Sequence, residues 1–253
     1  MKYFLLFLVL CTSPWNAFGQ DITIVTEEWP PYNYSEDGEA KGVVTDIVKE
    51  VMSRAGMGYT IEVLPWARSY KMAMEEENVM IYSIFKLPNR ESLFQWIPVE
   101  GLAVRMYLFK PRHRTDIHID SLESAKQFVV GVTRDTSTHH YLLNQGFEEN
   151  TNLIPLPSEK QNIQLTLPGV ERTDLLTGDI LSLTRWLKLS GLDNDYLEEQ
   201  LFLFKEDIYF AFGLKTSPGL VDRIRRAAAE VSTDGTLENI LLHSMHTMEH
   251  PAQ

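Results

Sequence analysis

Along the first hundred positions, short apolar runs alternate with apolar stripes at helical spacing. Ile22, Ile24 and Val25 form a short buried-strand pattern. It ends in polar Thr26-Glu27-Glu28 and an aromatic, proline-stiffened turn, Trp29-Pro30-Pro31-Tyr32. After a polar loop with Gly38 and Gly42, the residues Val43, Val44, Ile47, Val48, Val51, Met52 and Ala55 share one helical face. Strand, loop and helix start make the unit from which open α/β sheets build binding crevices. Residues 59–64 predict a second strand after the Gly56-Met57-Gly58 stop, and Pro65 opens a short helix with Trp66, Tyr70 and Met74 on one stripe. Residues 79–84 predict a third strand. Repeated β-α units argue for a largely parallel sheet.

Residues 103–109 are the next extended apolar piece, and 110–114 are a basic, proline-containing break. A crossing between domains is therefore placed near 109–112. A brief helix over 121–126 precedes a second β-α series, with strands predicted at 128–132, 152–156 and 173–176. Its helices fall after Thr136 or Ser137, over 159–167 and over 180–189. Residues 201–205 read as a second crossing and 208–214 as a buried strand. Ser217-Pro218 then caps a helix with Leu220, Val221, Ile224, Ala227, Ala228 and Val231 on its apolar face. A short helix over 236–243 and a polar, frayed tail from His246 close the chain.

Composition sharpens this picture at the start of the chain. Lys2, the apolar run 4–10 and Ala17-Phe18-Gly19 form a signal-peptide pattern over residues 1–19, shorter than the roughly 20 apolar residues of a membrane span. Cys11 follows Leu10, whereas a lipoprotein site wants a small residue there, so lipid anchoring is not expected. Cys11 is the single cysteine, and its removal excludes disulfides, thiolate metal sites and a cysteine nucleophile. The formal net charge of -12 argues against a nucleic-acid partner, which wants a concentrated basic surface. No catalytic motif is present, neither G-x-S-x-G nor H-E-x-x-H nor a phosphate-cradling glycine loop. His139 and His140 are adjacent, and His243, His246 and His250 sit in or near the tail. No metal and no cofactor are expected from either group.

The turn Glu28-Trp29-Pro30-Pro31-Tyr32 followed by Gly42-Val43-Val44-Thr45-Asp46 resembles the opening signature of the bacterial extracellular solute-binding proteins, family 3. The resemblance continues through Pro65-Trp66-Ala67-Arg68, residues 83–90, 131–138, 172–179 and 207–214, and Asp234-Gly235-Thr236. It implies a two-lobe α/β clamshell, each lobe a mostly parallel sheet flanked by helices. Lobe 1 would hold about 21–108 plus 206–253, and lobe 2 about 109–205, joined by two hinge strands. Ligand would lie between the lobes.

On that resemblance Arg90 is the first candidate, the arginine that clamps a ligand carboxylate. A guanidinium presents a planar fork to two oxygens, and such bonds strengthen as a cleft dries. The bland alternative is a solvated arginine beside Glu91. Ser83 offers a hydroxyl in the same stretch, and Phe85 stands where the family often has another small hydroxyl residue, making that wall more apolar. Asp179 falls where amino-acid binders hold the ligand ammonium, and it is equally placed to cap the following helix. Asp174 is expected to be structural. Thr136 and Ser137 match a helix start whose backbone N–H groups suit an anion, or cap it and nothing more. Trp29, Tyr32 and Trp66 are candidates for aromatic cleft walls, with plain core as the alternative. Arg68 is placed toward the cleft or a carboxylate, and Glu28 toward a basic group.

The expectation is a monomeric periplasmic binding protein that captures a small polar solute, an amino acid or related carboxylate, without reaction. Its closed form would be read by an ABC-type permease or, alternatively, by a membrane sensor. An enzyme on the same scaffold, dehydratase-like, would need Glu28 or Asp179 as acid or base in a dry cleft.

Overall fold

The computed structural model describes residues 22–249, with side chains described as far as Ser244. The expected signal segment 1–19 with Cys11, the tail residue His250 and the side chain of His246 lie outside the described residues.

The first strand, β1 (Ile22–Thr26), runs into the proline turn and a small hairpin, β2 (Tyr34–Glu36) and β3 (Glu39–Lys41). Asp37 and Gly38 both have positive φ at its tip, as a tight hairpin turn requires. Helix α1 (Val43–Ala55) buries the predicted stripe and stops at Gly56, whose left-handed backbone lets the last carbonyls be capped. Next come β4 (Tyr59–Val63), α2 (Trp66–Glu75) and β5 (Val79–Ile84), the last buried at all six positions as a central strand should be. A single 3-10 turn, Glu91–Leu93, leads into the long strand β6 (Phe94–Pro111).

The second half brings α3 (Leu122–Ala125), β7 (Val130–Thr133), α4 (Ser137–Asn144), β8 (Leu153–Leu156), α5 (Glu159–Leu165), β9 (Leu175–Gly178) and α6 (Ile180–Leu189). A second long strand, β10 (Leu197–Gly213), returns the chain to α7 (Pro218–Thr233) and α8 (Thr236–Glu249). Side-chain caps at Ser121, Thr136, Ser158, Asp179 and Ser217 hold five of these helix starts. Arg54 ties α1 to the α7–α8 corner through Asp234 and, at 2.7 Å, the Thr236 hydroxyl.

The sheet order is β4-β1-β5-β10-β6-β9-β7-β8. In each lobe the outer strands are parallel, β4-β1-β5 on one side and β9-β7-β8 on the other. Between them β6 and β10 pair antiparallel along nearly their whole length, from Phe94 opposite Gly213 to Pro111 opposite Leu197. Each also pairs antiparallel with its outer neighbour, β10 with β5 and β6 with β9. The largely parallel sheet expected from the β-α repeats is thus mixed at its centre.

That long ribbon also corrects the strand boundaries. Residues 103–109 and 208–214 read as short separate strands because Pro98 and Gly101 punctuate the first. In the structure β6 takes five steps from Pro98 to Ala103 while β10 takes two, from Tyr209 to Asp207. The extra residues bulge out, and pairing resumes on either side.

Candidate functional site

The C-terminal ends of the parallel strands face a cleft between the two lobes that is partly open to solvent. From the first lobe, the end of β1 brings Glu27, Glu28 and Trp29, the end of β5 brings Ser83 and Phe85, and the loop after β5 brings Arg90. Trp66 enters from the first position of α2. From the second lobe, the β7–α4 turn supplies Thr133, Thr136, Ser137 and Thr138, α5 supplies Glu159, and β9 supplies Thr177.

Arg90 is 3 % exposed, so the solvated alternative does not hold. Its guanidinium carbon sits 5.3 Å from the Trp66 ring centre and 5.1 Å from that of Tyr70, an aromatic bracket that favours the cation. One Nη donates to the backbone carbonyl of Asp135 across the cleft at 2.7 Å. The Trp66 indole donates to the same carbonyl at 2.9 Å. Asp135 has a φ of 59°, and its own N–H donates to His139 Nδ1 at 3.1 Å. The left-handed turn therefore aims one carbonyl at the opposite lobe while α4 fixes its amide.

Asp179 performs the capping role and more. It accepts the Ser182 N–H at 3.0 Å, the Trp29 indole N–H at 3.0 Å and the Tyr32 hydroxyl at 3.1 Å. Trp29 and Tyr32, tilted rings 4.4 Å apart, thus reach from the first lobe to a carboxylate of the second. Burial pushes the Asp179 carboxyl up to about 6, while the three donors pull the other way.

The remaining predicted residues divide clearly. Thr136 caps α4, accepting the His139 N–H at 3.4 Å and donating to Thr133 at 2.7 Å. The Ser83 hydroxyl is held by Asn33, whose amide in turn donates to the Glu27 carbonyl at 2.7 Å. Phe85 packs edge-on to Trp29 at 5.9 Å. Glu28 is exposed at the rim, where its carboxylate accepts the Ser35 N–H at 3.1 Å. Arg68 is exposed outside the cleft lining, because Trp66, Ser69 and Tyr70 occupy the inner face of α2. Asp174 is structural as expected, tying Arg114 and the Val129 amide at 2.7 and 2.9 Å.

Sequence reasoning missed Glu27 and Glu159. Burial pushes the Glu27 carboxyl up to about 8, with the Arg90 charge opposing. Glu159 is held well above the ordinary carboxylate range by burial first and by the Asp179 charge second. Its Oε2 accepts the Ser182 hydroxyl. Glu159 carried no signal because an acidic residue in a helix's first turn already has a routine reason to be there.

A testable consequence concerns pH. The native Glu27 carboxyl binds its proton more tightly than the unfolded chain does, so its contribution to stability falls as pH rises from 4.5 toward about 8. Glu27→Gln does not ionise. It is expected to melt about 4 °C or more above wild type at pH 8, with the two converging near about pH 5. Parallel melting curves at both pH values would refute the assignment.

The sequence profile of the bacterial extracellular solute-binding proteins, family 3, matches residues 22–244. The chain belongs to this family. No curated protein sequence matches it significantly. Among solved structures, a histidine kinase sensor domain with similarity to periplasmic binding proteins has a TM-score of 0.80 at 16 % identity, with 90 % of this chain and 97 % of that one covered. The arginine-, lysine-, histidine-binding protein ArtJ from Geobacillus stearothermophilus has a TM-score of 0.77 at 15 % identity, covering 90 % and 96 %. An ancestral arginine-binding protein bound to arginine has 0.76 at 16 %, covering 89 % and 98 %. At such identities these likenesses establish the two-lobe fold. The family's description, extracellular solute-binding proteins, agrees with the solute capture expected from the sequence. Among the described residues no helix is long and apolar enough to cross a membrane, and no group of three or more His, Cys, Asp or Glu is arranged to hold a metal ion.

Proposed function

We propose that the protein captures a small carboxylate-bearing solute, such as an amino acid, between lobe 1 (about 21–108 plus 206–253) and lobe 2 (about 109–205). The observation that carries this is the bond from Arg90, across the cleft, to the turn that leads into α4. Arg90 still has guanidinium N–H groups to offer, and Ser137 and Thr138 line the cleft at the start of a helix, where an anion is favoured. A carboxylate there bridges the lobes and favours closure only by its preference for the closed form. Arginine and other amino acids are named as ligands of the relatives above, which supports the same class here.

The signal-peptide pattern over 1–19 supports export to the periplasm with cleavage and without a lipid anchor. A monomer read by a membrane permease fits the family. The sensor reading is favoured by one observation, the histidine kinase sensor domain among the structural relatives. Copurification from membranes of a permease or of a kinase distinguishes the two.

A thermal-shift screen of the mature protein against amino acids and small carboxylates tests the solute class. At least one such compound is expected to raise the melting temperature by several degrees, with micromolar or tighter binding by calorimetry. Stabilisation by sugars or simple amines alone, with none by any carboxylate, would remove the proposal.

A further inference from the structure

The adjacent histidines of α4 play no part in holding a carboxylate, yet His139 touches the bond that joins the lobes. It is 2 % exposed and occupies the third position of α4 after the cap Thr136. At that position a helix commonly places Glu or Gln, whose side chain accepts a backbone N–H from the helix start. Here an imidazole takes the acceptor's part, and its Nδ1 receives the Asp135 N–H at 3.1 Å. A ring nitrogen that accepts carries no hydrogen, so the neutral ring has its proton on Nε2. Glu149 Oε1 lies 3.0 Å from Nε2 without the alignment of a hydrogen bond, so it acts there as a neighbouring negative charge.

Asp135 needs such a hold. Its φ of 59° is left-handed, a conformation that a residue with a Cβ keeps only where its surroundings fix it. Its amide and its carbonyl flank the same Cα, so anchoring the amide turns the carbonyl toward the first lobe. That carbonyl is where Arg90 arrives at 2.7 Å and the Trp66 indole at 2.9 Å. Two further bonds brace the turn, from the Thr136 hydroxyl to the Thr133 carbonyl and from the Arg134 N–H to the Leu156 carbonyl at 2.8 Å. Of these three braces, the one at His139 alone has an acceptor that can gain a proton.

We propose that His139 is a positioning residue for lobe closure, its unprotonated Nδ1 aiming the Asp135 carbonyl at Arg90 and Trp66, and that a proton on Nδ1 releases this turn. The proposal rests on the reading that the lobes close over a solute held at Arg90. Once Nδ1 carries a hydrogen, two N–H groups face each other and the turn loses its acceptor. The charged and titratable groups facing this corner are Glu149 from the loop after α4, His140 with its ring centre 5.7 Å away, the Asp135 carboxylate, and Arg90 from the first lobe. Strand β7, against which α4 packs, carries none.

The test reads the Trp66 indole N–H, whose bond to the Asp135 carbonyl reports lobe contact without any solute. Its exchange with water is followed by NMR in the mature protein, in His139→Asn and in His139→Leu. Asparagine carries an amide oxygen on Cγ where histidine carries Nδ1, so it accepts the same N–H and has no proton to gain. Leucine accepts nothing. At about pH 8, exchange in His139→Asn is expected within about threefold of wild type, and in His139→Leu about tenfold or more faster. At about pH 5, wild type is expected to exchange about tenfold faster than His139→Asn. Glu27, Glu159 and Asp179 also titrate near the cleft, but both proteins share them and they cancel in that ratio. Melting curves confirm that each variant is folded, and if His139→Leu is not, the pH comparison with His139→Asn carries the test. Equal exchange in wild type and His139→Leu would overturn the role of His139. So would a ratio of wild type to His139→Asn that stays constant between the two pH values. Neither outcome touches the solute class, which the thermal-shift screen decides. A failed screen beside the expected exchange rates removes the carboxylate solute and leaves His139 as the residue that positions the turn.

Discussion

Arg90→Ala is expected to weaken solute capture about a hundredfold, the order of loss seen when one partner of a desolvated charge pair is truncated. Three separate contributions vanish with the guanidinium. The carboxylate of the solute loses its planar partner. The Asp135 carbonyl loses one of the two donors that reach it from the first lobe, keeping only the Trp66 indole. Glu27 loses the one positive charge that opposes its desolvation, so its carboxyl is driven further toward the neutral form. Arg90→Lys separates charge from geometry. A point charge on a flexible stem preserves part of the attraction but not the two-oxygen fork or the stacking between Trp66 and Tyr70. Its affinity is therefore expected to fall between those of wild type and the alanine variant. Titration calorimetry with the best compound from the solute screen decides the matter, and undiminished binding by Arg90→Ala would show that the carboxylate is held elsewhere.

Gly42→Ala is expected to destabilise the fold by about 3 kcal/mol or more, which for a chain of this size lowers the melting temperature by roughly 10 °C. Two independent costs coincide at this glycine. Its φ is 117°, a region that residues with a Cβ rarely occupy, and an added Cβ would lie 2.4 Å from the Tyr32 carbonyl oxygen and 2.6 Å from its carbon. The neighbouring atoms are backbone and have little room to give, because the same turn feeds α1. The Val43 amide donates to the Pro31 carbonyl at 3.1 Å and the Val44 amide to the Tyr32 carbonyl at 2.9 Å. Displacing the turn also moves Trp29 and Tyr32 away from Asp179, so loosened closure is expected to accompany the lost stability. Urea unfolding measures the first effect. A variant as stable as wild type would mean that the turn and helix start are not locked together in this way.

The interlobe bonds to Asp179 and to the Asp135 carbonyl have a common character. In each, donors on the first lobe converge on one acceptor of the second, and the acceptor sits at a helix start that holds it still. Closure is thereby tied to rigid elements rather than to loops alone. The carboxylate where the family resemblance places a ligand amine fastens the lobes through Trp29 and Tyr32.

Much of this was legible along the chain, for reasons that are local. The stripe that buries α1, the continuous apolar run of β5 and the Ser217-Pro218 start of α7 are periodicities and caps encoded within a few residues. The order and spacing of short motifs from the Trp29–Tyr32 turn to Asp234-Gly235-Thr236 pointed to the family. Pairing across the lobes was not legible, because it joins residues 45 to 150 positions apart, such as Arg90 with Asp135 and Trp29 with Asp179. The β6–β10 ribbon was hidden for a related reason, since its bulge interrupts the local pattern and only the partner strand restores it. Glu27 illustrates the limit most plainly. Beside Glu28 it is one of two adjacent carboxylates at a strand end, and only the folded cleft decides which is desolvated and which faces water. Charge and spacing are properties of the chain, whereas desolvation depends on what the rest of the molecule places around a group.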